Sequence, residues 1–503
     1  MSDSTLLSDA QPLDNHFLDD PPAPVAVPGY DRDALTPGVA HIGVGGFHRA
    51  HQGVYFDELA EQGITDWGVV GVSLRSQGMQ RALEAQDLLY SVVERHPDTE
   101  TVSVVGTMVR FLYAPEDPAA VLHALSDPRI RLVTITLTDA AYHVDPTTGK
   151  LDATDEDVTA DVAHPESPVT FFGYLVEALR RRRAAGEAPF TVLSCDNVPG
   201  NGECTRMVVV SFARLRDPGL ADWIDEHVTF PSSVVDRITP ESTDEFAEYV
   251  EHEYGIEDNA PVATEPFRQW IIEDAFCNAR PPLERVGVQF VSDTSSYELI
   301  KKRMLNGGHC AIGYLGYLAG HRTTADVMAD PALAGYVSRL MEAEIMPLLP
   351  AVPGVDLDEY KTTLLERLAN PKMGDELKRL IRRGSTKMPS YLLPSLTDAV
   401  SGGHPYELLT LGLAGWLRFL RGTDCKGNEI EIEDARLDEL SPLVAAGSDP
   451  RRILGDRSIF GDLGEDEAFA DRLEQTLHQL EQDGPRAVAE RLVASSRDGA
   501  NGR

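Results

Sequence analysis

Apolar residues in the first 300 positions come in short runs broken by polar, glycine-marked turns, and the period of the runs alternates between strand-like and helix-like. After an arm containing Pro21, Pro22, Pro24 and Pro28, the stretch Gly38-Val39-Ala40-His41-Ile42-Gly43-Val44-Gly45-Gly46 reads as a buried strand running into a glycine turn. Residues His48 to Glu61 follow with Val54, Tyr55, Phe56, Leu59 and Ala60 at helical spacing. Further strands are predicted at 68–74, 102–109, 131–138 and 190–195, and helices at 77–86, 119–126 and 169–185. Strand and helix in alternation predict a mostly parallel, doubly wound α/β sheet. From about Ser295 helical periodicity takes over, with helices predicted at 299–319, 331–348, 356–368, 375–382, 406–421 and 465–480. The expected organisation is a loose acidic arm over 1–34, an α/β domain over 35–294, a helical domain over 295–493 and a disordered tail over 494–503.

The charge balance narrows the setting. Against 81 acidic residues stand 45 basic ones, a formal net charge of −36, and only eight of the bases are lysine. Such a surface repels nucleic acid and anionic membrane, so neither is an expected partner. The acids are spread along the whole chain, which points to a solvated surface adapted to high salt. The five cysteines, 195, 204, 277, 310 and 425, show neither paired zinc-ligand spacing nor a disulfide framework. The first thirty residues lack a basic start and an apolar stretch, and the strongly apolar run from Cys310 to Gly320 is too short to span a bilayer, so a cytoplasmic protein is expected.

Several segments carry candidate chemistry. In Lys301-Lys302-Arg303-Met304-Leu305-Asn306-Gly307-Gly308-His309, an α-helix would fan Lys301, His309 and Asn306 over an arc of about 140°, lining one wall of a cleft. Burial, with the neighbouring cations Lys302 and Arg303, would favour an uncharged Lys301 amine. Tyr297 and Lys301 share the spacing used by short-chain dehydrogenases, but the chain is too long for that class and its glycine turn lacks their pattern.

Gly43 and Gly45 at a strand end would let backbone amides approach a pyrophosphate, although His48 stands where a third glycine is usual. The next strand ends in Ser73-Leu74-Arg75-Ser76, with no acid to grip a ribose; Arg75 could accept a 2′-phosphate or stack on adenine, which leaves NAD and NADP both open. His48 and His51 are read as polar residues near this turn, and no metal site is expected. Asn197, in Ser194-Cys195-Asp196-Asn197-Val198-Pro199-Gly200-Asn201-Gly202, follows a strand end and is placed either to orient a substrate oxygen or to close a simple turn. Asp236 and Arg237 read as an ion pair or as facing a polyhydroxylated ligand. Gly384 suits a helix end and Pro389 prevents early resumption, which puts Lys387 on a loop after the helix carrying Arg379. Cations gathered there on an acidic background suggest a pocket.

In their order, the segments GVGGFHRAH, SCDNVPGNG, FPSSVVDRITP, EPFRQWIIED and KKRMLNGGH resemble the polyol-specific long-chain dehydrogenase/reductase family, over about Val39 to Pro394. The resemblance implies a Rossmann-type domain, a mostly helical C-terminal domain and a zinc-independent site. It implies Lys301 as general base, Asn197 and Asn306 as the pair stabilising the oxyanion, and His309 as a substrate-orienting group. It further implies Asp236, Arg379 and Lys387 as contacts to sugar hydroxyls. The cofactor site is expected at the glycine turn and the next strand end, at Gly43, Gly45, Gly46, Phe47 and Arg75. The expected reaction is hydride transfer between a nicotinamide and a polyol or ketose, mannitol to fructose, by a monomer. Mannonate to fructuronate, or arabinitol oxidation, are alternatives within the family, and a dinucleotide sensor without chemistry is an alternative outside it. Where the family shows Thr-Glu-Gly-Gly-Tyr, this chain has Thr138-Asp139-Ala140-Ala141-Tyr142, with a shorter acid and no glycines, which leaves the role of Asp139 open.

Overall fold

In the computed structural model, residues 10–445, 447 and 449–500 are described. The chain divides between Ser295 and Ser296 into two compact units.

The first unit is built on a five-stranded, all-parallel sheet. Its strands lie in the order Thr191–Ser194, Leu132–Ile135, Pro37–Ile42, Gly68–Ser73, Met108–Tyr113. The central strand Pro37–Ile42 is buried along nearly its whole length, because a parallel strand inside a doubly wound sheet is covered on both faces. Its side chains alternate between the two cores. Val39, Val69, Leu132 and Leu193 face one core with Tyr55, Phe56, Leu59 and Trp270. Ala40, Ile42, Val70, Val72, Val133 and Val192 face the other, closed by Phe171, Phe172, Leu175 and Phe212. His41 also lies in the central strand, fully buried, with Nδ1 2.8 Å from the Thr134 hydroxyl and Nε2 2.9 Å from the Thr136 hydroxyl.

Two features of this unit depart from the periodicity. The run expected as one strand over 102–109 is two, Glu100–Val105 and Met108–Tyr113, in different sheets. The corner falls at Gly106, whose N–H donates to Asp57 at 2.9 Å, so an apolar alternation that looks continuous turns from one layer to another. The arm is not loose between residues 10 and 34. Leu13, Phe17 and Val25 are buried against Val93, Val102 and Phe246, and Gln11–Pro12 pairs in parallel with Ile256–Glu257. Sparse apolar residues among prolines offer no period to read, yet three of them reach a core. Residues 1–9 lie outside the described residues.

The second unit is helical around one core. Helices Gly307–Ala319, Pro331–Leu340, Glu407–Phe419 and Glu467–Ala500 contribute most of it. The last helix, kinked at Gly484, continues to Ala500, where the sequence predicts a disordered tail from 494. Val493 is buried and Arg339 donates to both the hydroxyl and the carbonyl of Ser496, which holds this end down; 501–503 lie outside the described residues. Among the described residues no helix is long and apolar enough to cross a membrane.

Candidate active site

The candidate residues fall into one set in each unit. In the first unit they stand at the carboxyl ends of the parallel strands, where open α/β sheets bind ligands. The glycine turn leaves strand Pro37–Ile42 through Gly43, whose φ of 98° places it in the left-handed region. A Cβ there would also stand 2.2 Å from the Thr136 carbonyl oxygen, so only glycine fits. At Gly45 the nearest atom to a Cβ is 3.9 Å away, which leaves an open cradle over the backbone leading into helix Gly46–Ala50. That cradle fits a dinucleotide pyrophosphate. Phe47 stacks on His51 with ring centroids 4.9 Å apart. Strand Gly68–Ser73 ends beside the turn, with the Ser73 hydroxyl donating to the Ser76 carbonyl at 2.6 Å and Arg75 exposed.

The histidines near the turn are packing groups. His48 stacks on His41 at 3.5 Å, and His51 Nε2 lies 2.9 Å from the Gln269 carbonyl. Burial pushes His51 down to about 3 and His48 well below its ordinary range, so both are neutral. Among the described residues, His143, Asp155 and Asp157 gather ligand atoms within 4.8 Å, but Asp155 already pairs with His143 at 3.0 Å and caps helix Glu156–Ala163.

The loop carrying Asn197 is held by Asn201, a residue that sequence reasoning does not single out. Asn201 donates to the carbonyls of Asp196 and Ser233, at 3.0 and 2.9 Å, and accepts from the Ser233 N–H at 3.0 Å. Gly202 beside it lies so close to the Phe230 carbonyl that a Cβ would stand 2.4 Å away. The run Gly200-Asn201-Gly202 therefore laces the Asn197 loop to strand Ser233–Asp236, which ends in the buried Asp236. Arg237 does not pair with Asp236. It bonds Glu94 and the carbonyls of Ala50 and Glu265, a structural role in the strand exit. Asp139 is exposed and accepts from the N–H of its neighbour Ala140.

In the second unit the stretch expected as one helix is interrupted. Helix Ser295–Ile300 passes into a π-helical turn, Lys301–Asn306, before helix Gly307–Ala319. The Gly307 N–H reaches the Lys302 carbonyl, the i to i+5 bond that defines such a turn. The wider turn places Asn306 at a smaller angle from Lys301 around the axis than the 140° of an α-helix. Asn306 Nδ2 is buried without a hydrogen-bond partner among the described residues, a state that costs about 1–3 kcal/mol unless a ligand oxygen accepts from it. Lys302 pairs with Glu298, and Arg303 pairs with Asp398 at 2.5 Å. These two cations therefore carry counter-ions of their own.

Lys387 is on a helix, not a loop. Gly384–Tyr391 is helical with Pro389 inside it, and the left-handed residue is Arg383, at φ 57°, so Gly384 begins a helix where the sequence suggests an end. Lys387 Nζ donates to the carbonyls of Arg379 and Leu380, at 3.0 and 2.8 Å, closing the end of helix Leu377–Ile381. Burial, helped by Arg379, Arg382 and Arg383, lowers it to about 8. Arg379 makes two bonds to Asp375 Oδ1, at 2.9 and 2.6 Å. The basic cluster thus has internal work of its own, and its cations are already partly neutralised.

Family models match almost the whole chain: a mannitol dehydrogenase Rossmann domain over residues 37–285 and a mannitol dehydrogenase C-terminal domain over 293–481. A mannitol 2-dehydrogenase of Phaeosphaeria nodorum is 42% identical over 471 residues, 92% of this chain and 83% of the relative. Mannitol dehydrogenase 2 of Saccharomyces cerevisiae is 41% identical over 93% of this chain and 94% of its own. Among solved structures, the ternary complex of Pseudomonas fluorescens mannitol 2-dehydrogenase with NAD and D-mannitol superposes with a TM-score of 0.87 at 38% identity, covering 96% of this chain and all of that one. A substrate-free D-sorbitol dehydrogenase superposes with a TM-score of 0.89 at 36% identity, covering 95% and 100%.

Proposed function

The chain belongs to the mannitol dehydrogenase family, and from that premise we propose that it moves a hydride between NAD and a six-carbon polyol, oxidising mannitol to fructose and running in reverse. It is a zinc-independent oxidoreductase acting on a CH–OH group. The observation that carries the reading is the π turn, which holds an amine and, five residues on, a buried amide donor with no hydrogen-bond partner among the described residues.

In polyol oxidation the Lys301 amine takes the hydroxyl proton and becomes an ammonium. The Asn197 and Asn306 side-chain amides are each suited to donate to an oxygen that becomes an alkoxide and then a carbonyl. His309 orients the hydroxyl, and Asp236, Arg379 and Lys387 hold the remaining hydroxyls. Bound NAD, held at Gly43, Gly45, Gly46, Phe47 and Arg75, supplies the acceptor for the hydride that leaves carbon. The ion pair of Arg379 with Asp375 favours a neutral polyol over a sugar acid, since a carboxylate would compete with Asp375 for the guanidinium. We further place the protein as a monomer in the cytoplasm, where five free cysteines are stable as thiols, and in a high-salt interior suited to its net charge of −36.

The test is a substrate panel in molar KCl: NAD and NADP reduction with mannitol, sorbitol, arabinitol and mannonate, and NADH and NADPH oxidation with fructose and fructuronate. The highest kcat/KM with mannitol and fructose is expected. A preference for mannonate and fructuronate reassigns Arg379 and Lys387 as carboxylate binders, and a preference for sorbitol keeps the mechanism and changes the substrate.

A further inference from the structure

Asp196 immediately precedes Asn197 at the ligand-binding end of strand Thr191–Ser194, and both of its carboxylate oxygens are bonded. It is 6% exposed. Its Oδ1 accepts from the Leu137 N–H at 2.5 Å, and its Oδ2 accepts from the Tyr142 hydroxyl at 2.6 Å. The Ser194 hydroxyl lies 2.8 Å from Tyr142 Oη and 3.2 Å from the Asp196 N–H, which donates to it. The Asp196 carbonyl accepts from Asn201 at 3.0 Å.

That last bond reaches the next residue directly. The carbonyl of Asp196 and the backbone nitrogen of Asn197 share one rigid peptide plane, so fixing the first fixes the main chain from which the Asn197 side-chain amide extends. The side chain meanwhile fastens this plane to the loop after strand Leu132–Ile135, at Leu137 and Tyr142. The same loop is tied separately to the glycine turn, since the Thr136 hydroxyl donates to the Gly43 carbonyl at 2.7 Å. Burying a carboxylate is costly, and burial pushes Asp196 up to about 7 despite its donors. A fold that only needed a turn here has cheaper solutions.

We propose that Asp196 is a positioning residue for hydride transfer: its carboxylate, clamped by Leu137 and Tyr142, sets where the Asn197 amide meets the substrate oxygen. This rests on the reading of Asn197 as an oxyanion donor. Asparagine at 196 would keep both bonds, with its oxygen accepting from Leu137 and its NH2 donating to Tyr142 Oη, whereas alanine keeps neither.

The experiment compares Asp196→Ala, Asp196→Asn, Tyr142→Phe, Asn197→Ala and the double variant Asp196→Ala/Asn197→Ala, with kcat for the preferred polyol and the NADH Kd from fluorescence titration. Asp196→Ala is expected to lower kcat about tenfold or more with the NADH Kd within about threefold of wild type, and Asp196→Asn to recover most of the rate. Because both residues act on one oxygen, the double variant is expected to be within about threefold of the slower single variant. Losses that multiply, or an Asp196→Ala enzyme with wild-type kcat, overturn the proposal. A wild-type rate for Asn197→Ala overturns the reading of Asn197 and this proposal with it, whereas a slow Asn197→Ala enzyme with multiplying losses overturns the positioning role alone. If Asp196→Ala fails to fold, Tyr142→Phe takes its place in the cycle, with the same coupling expected and multiplying losses again decisive.

Discussion

At the scale of single residues, the chemistry turns on groups whose neighbours leave them something to do. Beside Lys301, the cations Lys302 and Arg303 are paired with Glu298 and Asp398. The function of Lys301 as base is tested by removal: Lys301→Ala is expected to lower kcat by about 10²–10⁴-fold, the usual worth of general base catalysis, while NADH still binds. A kcat unchanged across pH 6–10 would remove Lys301 from the mechanism. Lys387 offers a different measurement. Its amine titrates at about 8 in the folded protein against an ordinary 10.5, so between these values the folded chain binds fewer protons than the unfolded one. Stability supplied through this residue consequently rises as pH climbs through that window. Urea unfolding of wild type and Lys387→Gln at pH 7.5 and 10 checks it, and the difference between them is expected to move in favour of wild type at the higher pH.

At the scale of elements, two substitutions separate close packing from open space. Gly202→Ala drives a Cβ to 2.4 Å from the Phe230 carbonyl, where backbone must move, and about 3 kcal/mol of stability and most of the activity are expected to go. Gly335→Ala, in helix Pro331–Leu340 with nothing within 4 Å of the new methyl, is expected to gain about 0.5–1 kcal/mol. The arm gives a third case: Phe17→Ala is expected to cost about 3–5 kcal/mol in denaturant unfolding, where a loose arm would cost nothing measurable. These elements also mark what the sequence could reveal. The five parallel strands are legible for the most part because buried strands between glycine turns and helices leave continuous apolar runs, and the long helices because their stripes repeat. The strands Tyr90–Arg95, Ser233–Asp236 and Gln269–Glu273, which form antiparallel pairs outside the five-stranded sheet, escape such a reading. The π turn is invisible, because one extra residue per turn shifts which side chains align without changing composition. Lys387 falls on a loop by sequence because Gly384 and Pro389 both carry helix-ending statistics, which the left-handed Arg383 and the packing of helix Gly384–Tyr391 override. Asn201 does leave a signal, since a polar residue between two glycines after a strand can anchor a loop as well as face solvent.

At the scale of the whole molecule, charge outweighs the rest. With 81 acids against 45 bases, each surface carboxylate has more acidic than basic neighbours on average, and their repulsion opposes the folded state. Ion pairs do not remove it, because many are arginines serving several acids at once; Arg451 alone lies within 4 Å of Asp449, Glu467, Asp471 and Glu474. Salt acts where pairing cannot. Screening shortens the reach of the repulsion from about 10 Å at 0.1 M to about 3 Å at 1 M, so most of the relief comes below 1 M. The melting temperature in KCl is therefore expected to rise steeply up to about 1 M and more gently above it, and kcat to follow where low salt loosens the fold. Sucrose separates screening from solvent exclusion, since it strengthens burial without ions. If sucrose reproduced the whole rise, or if the melting temperature were flat between 0.05 and 1 M KCl, the acidic surface would be a means of solubility alone and the salt adaptation would be refuted.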